Sequence, residues 1–147
     1  MAKIRMYADG GSRGNPGPSA GAAVLFEITA DGSNGKRIAE AAKYLGVATN
    51  NQAEYTGIIE GLKKALELGY TEVDVCLDSE LAVKQLNREY KVKNPDLAQM
   101  FLQVHNLSLQ FKSISFRHVR REFNSQADKL VNDTLDAHTD TPSLRGR

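Results

Sequence analysis

The hydrophobic pattern changes period once, near Asn51, and that change limits the folds open to this chain. Before it, Lys3 to Ala8, Gly21 to Ile28 and Arg37 to Leu45 read as strands. The first two flank a Gly/Pro loop, and TADGSNGK supplies the turn chemistry that leads into the third. After it, Ile58, Leu62, Ala65 and Leu66 recur at helical spacing within Asn51 to Leu68, and Gly69 ends the run. The pattern then alternates. A strand from Glu72 to Leu77 precedes a helix from Ser79 to about Asn87. After the polar link REYKVKN come a helix from Pro95 to about Leu109, a strand from Ser113 to Val119 and a last helix from Asn124 to about Ala137. The order βββαβααβα predicts an α/β fold, a five-stranded mixed sheet flanked by helices. Residues 1–138 are expected to form one domain and 139–147, TDTPSLRGR, a flexible C-terminal tail.

Composition narrows the function classes. With 41% hydrophobic and 25% charged residues in 147, the chain can bury a sizeable single core. No apolar stretch reaches membrane-spanning length and no signal sequence opens the chain, so a cytoplasmic protein is expected. Cys76, the single cysteine, lies in the apolar run VDVCL and is expected to fill core; a disulfide framework is excluded. A net charge of +1 is far from the balance of proteins that hold nucleic acid by charge alone, so any such partner must be gripped locally.

Four carboxylates stand at strand ends or in first helical turns: Asp9 in YADGGSRGNPGP, Glu54 in TNNQAEYTG, Asp78 in VCLDSELAVKQL and Asp128 in REFNSQADKLVN. Taken singly, three have purely structural explanations. Asp9 precedes two glycines and suits a turn, Asp78 suits a helix cap, and Asp128 gains from the dipole of its helix. Glu54 is harder to explain away. It lies four residues before Ile58 and eight before Leu62, at the end of an apolar stripe, so it points inward and needs a partner. The loop after Asp9 is longer than a hairpin needs, and its glycines suit a backbone that approaches a ligand closely. A mixed α/β fold brings such positions to one edge of its sheet. Carboxylates gathered there repel one another, and divalent cations relieve the repulsion. Two Mg²⁺ ions roughly 3.5–4 Å apart form the clamp that breaks phosphodiesters by in-line displacement. The chain therefore reads as a metal-dependent nuclease.

As a set, TNNQAEY, LDSELAVKQL and REFNSQADKLVN resemble segments of the type 1 ribonuclease H family, in that family's order and over Ile4 to about Leu135. The resemblance implies a ribonuclease H-like fold, with Asp9, Glu54, Asp78 and Asp128 as ligands of two Mg²⁺ ions, for which Mn²⁺ can substitute. It implies endonucleolytic hydrolysis of the RNA strand of an RNA–DNA hybrid, leaving 5′-phosphate and 3′-hydroxyl ends. Substrate contacts are implied for Gly10, Ser12, Asn15, Asn50, Asn51 and Glu54 in the minor groove, where the 2′-hydroxyl separates RNA from DNA. Thr49 is implied in a phosphate pocket, and Glu80 stands where some members carry a glutamine that touches substrate. His118, ten residues before Asp128, matches the family's mobile-loop histidine and is implied in proton transfer or product release. Arg117, Arg120 and Arg121 form either a solvated charge run or a set of phosphate contacts. His105 and His138 are expected to be structural or solvent-facing. No protein partner is implied, and a monomer is expected.

Three departures stand out. Only NRE lies between Leu86 and Tyr90, where members often carry a basic, aromatic-rich protrusion, leaving Lys84, Arg88, Lys91 and Lys93 as a reduced basic surface. Val47 falls where many members place an arginine of the phosphate pocket, and Glu80 replaces the glutamine. Two other classes compete with this reading. A non-catalytic hybrid-binding module is opposed by the intact quartet. A transposase- or resolvase-like DNA nuclease is opposed by Asn50, Asn51 and the glycine loop.

Overall fold

The computed structural model describes residues 3–139. The elements run β1 (Lys3–Ser12), β2 (Gly17–Ile28), β3 (Asn34–Ala48), α1 (Asn50–Glu67), β4 (Glu72–Leu77), α2 (Glu80–Leu86), α3 (Pro95–Ser108), β5 (Ser113–His118), a 3₁₀ turn at Arg121–Asn124 and α4 (Ser125–Thr139). The five strands lie in the order β3-β2-β1-β4-β5. β1 pairs antiparallel with β2 and parallel with β4; β2–β3 is antiparallel and β4–β5 parallel. The expected mixed sheet and element order are therefore present.

Side-chain alternation along the strands divides the core in two. Ile4, Met6 and Ala8 of β1 and Ala23 and Leu25 of β2 pack with Ile58, Leu62, Val75, Leu86 and Val104, so α1, α2 and α3 share one face. Ala20, Ala22, Val24 and Phe26 face the other way, onto Ala127, Val131 and Leu135 of α4. β2 is thus buried on both faces. α1 is apolar well beyond the expected stripe: Ala53 and Gly61 are buried against β1 and β2, the Tyr55 hydroxyl donates to Gln85 of α2 at 2.9 Å, and α3 packs against the helix as well. Cys76 is buried and forms no disulfide, and burial pushes its thiol up to about 11.

The first three strands are longer than the sequence predicts. The segment read as a Gly/Pro loop stays extended through Ser12 and resumes at Gly17, with Gly10↔Gly21, Gly11↔Ala20 and Ser12↔Ser19 in register, so only residues 13–16 bend. Its glycines serve packing as well as turning. A Cβ on Gly10 would stand 2.2 Å from the Ala53 carbonyl carbon and the Glu54 nitrogen, and one on Gly57 would stand 2.5 Å from the Asp9 carbonyl oxygen. α1 therefore rests backbone to backbone on β1. The last helix begins at Ser125 rather than Asn124 and continues through Thr139. Residue 139 thus belongs to the fold, and the rest of the expected tail, 140–147, lies outside the described residues. Among the described residues no helix is long and apolar enough to cross a membrane.

Candidate active site

The parallel pairing of β1 with β4 ends where Ala8 meets Leu77; Asp9 is the next residue of β1, and Asp78 is the first residue beyond β4. Asp9 lies within the β1–β2 ladder, opposite Ala22, and is 8% exposed, so it is no surface turn residue. Nor is Asp78 a cap. Ser79 caps α2 instead, its hydroxyl accepting from the Ala82 N–H at 3.1 Å, which leaves the Asp78 carboxylate for other partners. Glu54 enters through α1, whose start is fixed by a capping box. The Thr49 hydroxyl accepts from the Gln52 N–H while the Gln52 side chain accepts from the Thr49 N–H. The bare glycine contact at Gly10 then sets Glu54 against the end of β1. Asp128 arrives in the first turn of α4, from the opposite face of the sheet.

All four carboxylates line one open cavity of about 320 Å³, together with Gly10, Asn50, Asn51, Ser79 and Arg121. Their crowding is visible in proton affinity. Burial, then the nearby Asp78 and Asp128 carboxylates, push Asp9 up to about 8, against a partial offset from the Gly10 N–H. Burial and Asp78 push Glu54 up to about 7, while a hydrogen bond from Ser79 and the charge of Arg121 pull the other way. A site this reluctant to hold negative charge, and built from carboxylate oxygens, suits hard divalent cations. Asp9 and Asp128 come within hydrogen-bonding reach of each other, a contact that itself adds to the rise of Asp9. Among the described residues no three Asp, Glu, His or Cys side chains close into a ready-made metal cage.

The polar rim is tied to this cavity. Asn50 accepts from the Ser12 N–H at 3.0 Å, and Asn15 accepts from the Asn50 N–H at 3.1 Å, joining the 13–16 bend to the start of α1. A second polar cavity, about 420 Å³, shares Asn51 and is lined also by Asn15, Thr49 and Asn94. Three expected residues, Ser12, Glu80 and His118, line neither cavity, although Ser12 is tied to the rim through Asn50. Glu80 is exposed on α2 beside Lys84 at 3.8 Å, and His118 is exposed at the end of β5, level with Leu77. His105 contacts Arg88 at 2.9 Å and His138 stacks on Tyr44, as expected of structural histidines.

The comparisons with known proteins agree with this geometry. The family profile described as "Reverse transcriptase-like" matches residues 7–134. Over 135 residues the chain is 47% identical to "Bifunctional protein Rv2228c" of Mycobacterium tuberculosis, covering 92% of this chain and 36% of that protein. The solved N-terminal RNase H domain of that protein superposes with a TM-score of 0.84 over 93% of this chain and 96% of the other. RNase H1 from the halophilic archaeon Halobacterium salinarum, 38% identical, also gives 0.84, over 92% of this chain and 99% of the other. LC11-RNase H1, solved in complex with an RNA/DNA hybrid, is 36% identical and gives 0.84 over 93% and 99%. The chain belongs to the type 1 ribonuclease H family. It spans about a third, 36%, of the length of the mycobacterial relatives.

As a type 1 ribonuclease H the chain has the compact form, for residues 87–94 alone join α2 to α3. Val47 is 75% exposed, an apolar side chain on the rim of β3. The structure also separates the three arginines that the sequence left together. Arg117 is bound to Asp74, its Nε 3.1 Å from one carboxylate oxygen, alongside Arg5 at 2.8 Å. Arg121 lines the acidic cavity. Sequence reasoning gave no separate part to Arg121, to the donor role of Ser79 or to Asn124, whose side chain donates to Asp78 at 3.1 Å. The Asp78-Ser79 and Asn124-to-Asp128 segments were the only available signal, and neither says which atom faces which.

Proposed function

We propose that this chain is an endonuclease that hydrolyses the RNA strand of RNA–DNA hybrids, with two divalent cations held by Asp9, Glu54, Asp78 and Asp128. The carrying observation is that these four carboxylates line one cavity at the C-terminal ends of β1 and β4 while Asp9 and Glu54 resist ionisation there. Bound cations would supply an activated water and stabilise the departing 3′ oxygen, giving 5′-phosphate and 3′-hydroxyl ends. Mg²⁺ is the expected metal, with Mn²⁺ able to replace it. The protein's own task is to hold and orient. Ser79 donates to Glu54 and limits its swing, and Arg121 places a cation beside the carboxylates where a substrate phosphate can dock. Asn50, Asn51 and Asn15, with the backbone at Gly10 and Ser12, offer polar groups to a minor groove, and the second polar cavity with Thr49 suits a backbone phosphate. His118, exposed beside the strand ends, is assigned to proton exchange with solvent as product leaves. That a relative of 36% identity was solved with an RNA/DNA hybrid supports this substrate class.

The test is a uniformly labelled RNA–DNA hybrid assayed beside the matching duplex DNA, with Mg²⁺ and with chelator. Cleavage confined to the RNA strand, dependent on Mg²⁺ and ending in 5′-phosphates, is the expected result. Equal cutting of duplex DNA would transfer the assignment to a DNA nuclease on the same fold.

A further inference from the structure

We propose that Asn124 is a positioning residue, whose amide locks the Asp78 carboxylate and the end of β1 into one geometry and so sets the affinity of the acidic cavity for divalent cations. This rests on the function proposed above. Asn124 closes the 3₁₀ turn immediately before α4 and is 1% exposed. Its amide nitrogen donates twice, to the Ala8 carbonyl at 2.9 Å and to Asp78 Oδ2 at 3.1 Å. Ala8 directly precedes Asp9, and Asp128 lies one helical turn beyond Asn124. A single planar group therefore ties the elements that carry three of the four carboxylates.

The orientation of the amide is dictated by its surroundings. Both partners are acceptors, so the nitrogen must face them, and the Asn124 Oδ1 is left buried with no hydrogen-bond partner among the described residues. A buried, unsatisfied acceptor is unfavourable for folding. An apolar residue of similar size would avoid that loss but could not donate to Ala8 and Asp78 together. What the amide provides is orientation. With one Asp78 oxygen held, the other is presented to the cavity in a fixed direction, and groups that orient metal ligands in this way govern affinity.

The experiment compares the wild-type chain with Asn124→Ala and Asn124→Ser. Mg²⁺ binding is followed by calorimetry without substrate, hybrid cleavage is measured as a function of Mg²⁺, and melting is recorded in chelator. For Asn124→Ala, Mg²⁺ affinity should fall on the order of 10- to 100-fold. The lost kcat should return as Mg²⁺ is raised, with KM for hybrid unchanged. Asn124→Ser, which keeps one shorter donor, should fall between. If the folded variants bind Mg²⁺ as tightly as wild type and show only a lower melting temperature, Asn124 is packing and the proposal is wrong. Should Asn124→Ala fail to fold, Asn124→Ser carries the same comparison. A wild-type chain that neither binds Mg²⁺ nor cuts hybrid would instead overturn the proposed function.

Discussion

Asp9 is the residue at which folding and function conflict. Its folded-state value of about 8 lies far above the 3.8 of the free side chain, so the folded protein binds this proton more tightly than the unfolded chain. The stability that the proton confers is complete below about pH 4 and is lost as pH rises through 8; Glu54, moving from 4.5 to about 7, acts in the same sense. Metal-free melting temperature should therefore decline across that interval. Asp9→Asn keeps the volume and removes the charge. It should abolish Mg²⁺-dependent cleavage yet melt higher than wild type in chelator at pH 8, by at least about 3 °C, the shift expected for roughly 1 kcal/mol in a chain of this size. Wild-type turnover by this variant would remove Asp9 from the catalytic set. The four carboxylates were legible in sequence because each sits in a short motif at a strand end or helix start. The arginines were not, because β5 ends between them, at His118: Arg117 is held within the strand while Arg121 opens the 3₁₀ turn beyond it. Arg117 goes to the buried Asp74, where burial raises the carboxyl but Arg117 and Arg5 outweigh it and hold it below its ordinary value. Arg121 goes to the cavity. Arg121→Ala should raise KM for hybrid about 10-fold, the equivalent of roughly 1.4 kcal/mol, and flatten the logarithmic salt slope by about 0.9. Arg117→Ala should leave KM alone and cost about 1–2 kcal/mol of stability, since one side of its ion pair is half exposed. Steady-state kinetics at several salt concentrations, with melting curves, separate the two.

Among the elements, α1 decides whether the site forms. Its backbone rests on β1 and β2 through Gly10, Gly21 and Gly57, with no side chain between, and this closeness brings Glu54 to the end of β1. A methyl at Gly57 would meet the Asp9 oxygen at 2.5 Å and the Ala22 oxygen at 2.7 Å, both backbone atoms that cannot turn aside. Gly57→Ala should therefore lift α1 off the sheet. The expected cost is about 3 kcal/mol or more, with kcat falling further than stability alone explains because Glu54 moves with its helix. A variant that melts and turns over like wild type would show that the contact is not tight. The same glycines explain where reading from sequence fell short. Helical and strand periods were enough to give the order βββαβααβα, because each element buries a regular stripe. The facing ends of β1 and β2 were misjudged because Gly, Pro and Ser near position 15 carry turn chemistry, and those of β3 because Asn34, Gly35 and Gly46 do the same; sequence alone cannot tell a glycine that turns from one that stays in a strand or lies beneath a helix. The short 3₁₀ turn before α4 left no periodic trace, and with it the orientation of Asn124 was out of reach.

At the scale of the whole molecule, the question is how a chain of net charge +1 would hold the polyanion proposed as its substrate. Counterions displaced from the nucleic-acid backbone supply most sequence-independent affinity, and their number sets the salt slope. The structure leaves few cations for this purpose. Residues 87–94 take the place of a protrusion, the Lys84 ammonium lies 5.2 Å from the centre of the Tyr90 ring, and Arg88 is engaged with His105 at 2.9 Å. Val47 presents a methyl surface at the rim of β3. In the proposed function, recognition of the RNA strand is assigned instead to Asn15, Asn50, Asn51 and Glu54, which line the two cavities and do not depend on the missing charges. The expected enzyme has a high KM for hybrid, a shallow salt slope and an undiminished requirement for ribonucleotides around the scissile bond. Grafting a basic, aromatic-bearing segment between Leu86 and Tyr90 should lower KM and steepen the slope while kcat stays nearly constant, because the added contacts form equally in ground and transition states. Kinetics over a salt series on the two proteins make the comparison. Tight binding and a steep slope in the unmodified chain would mean that Arg120, Arg121 or the lysines between positions 84 and 93 reach the backbone after all, and that charge placement rather than the protrusion governs affinity in this compact form.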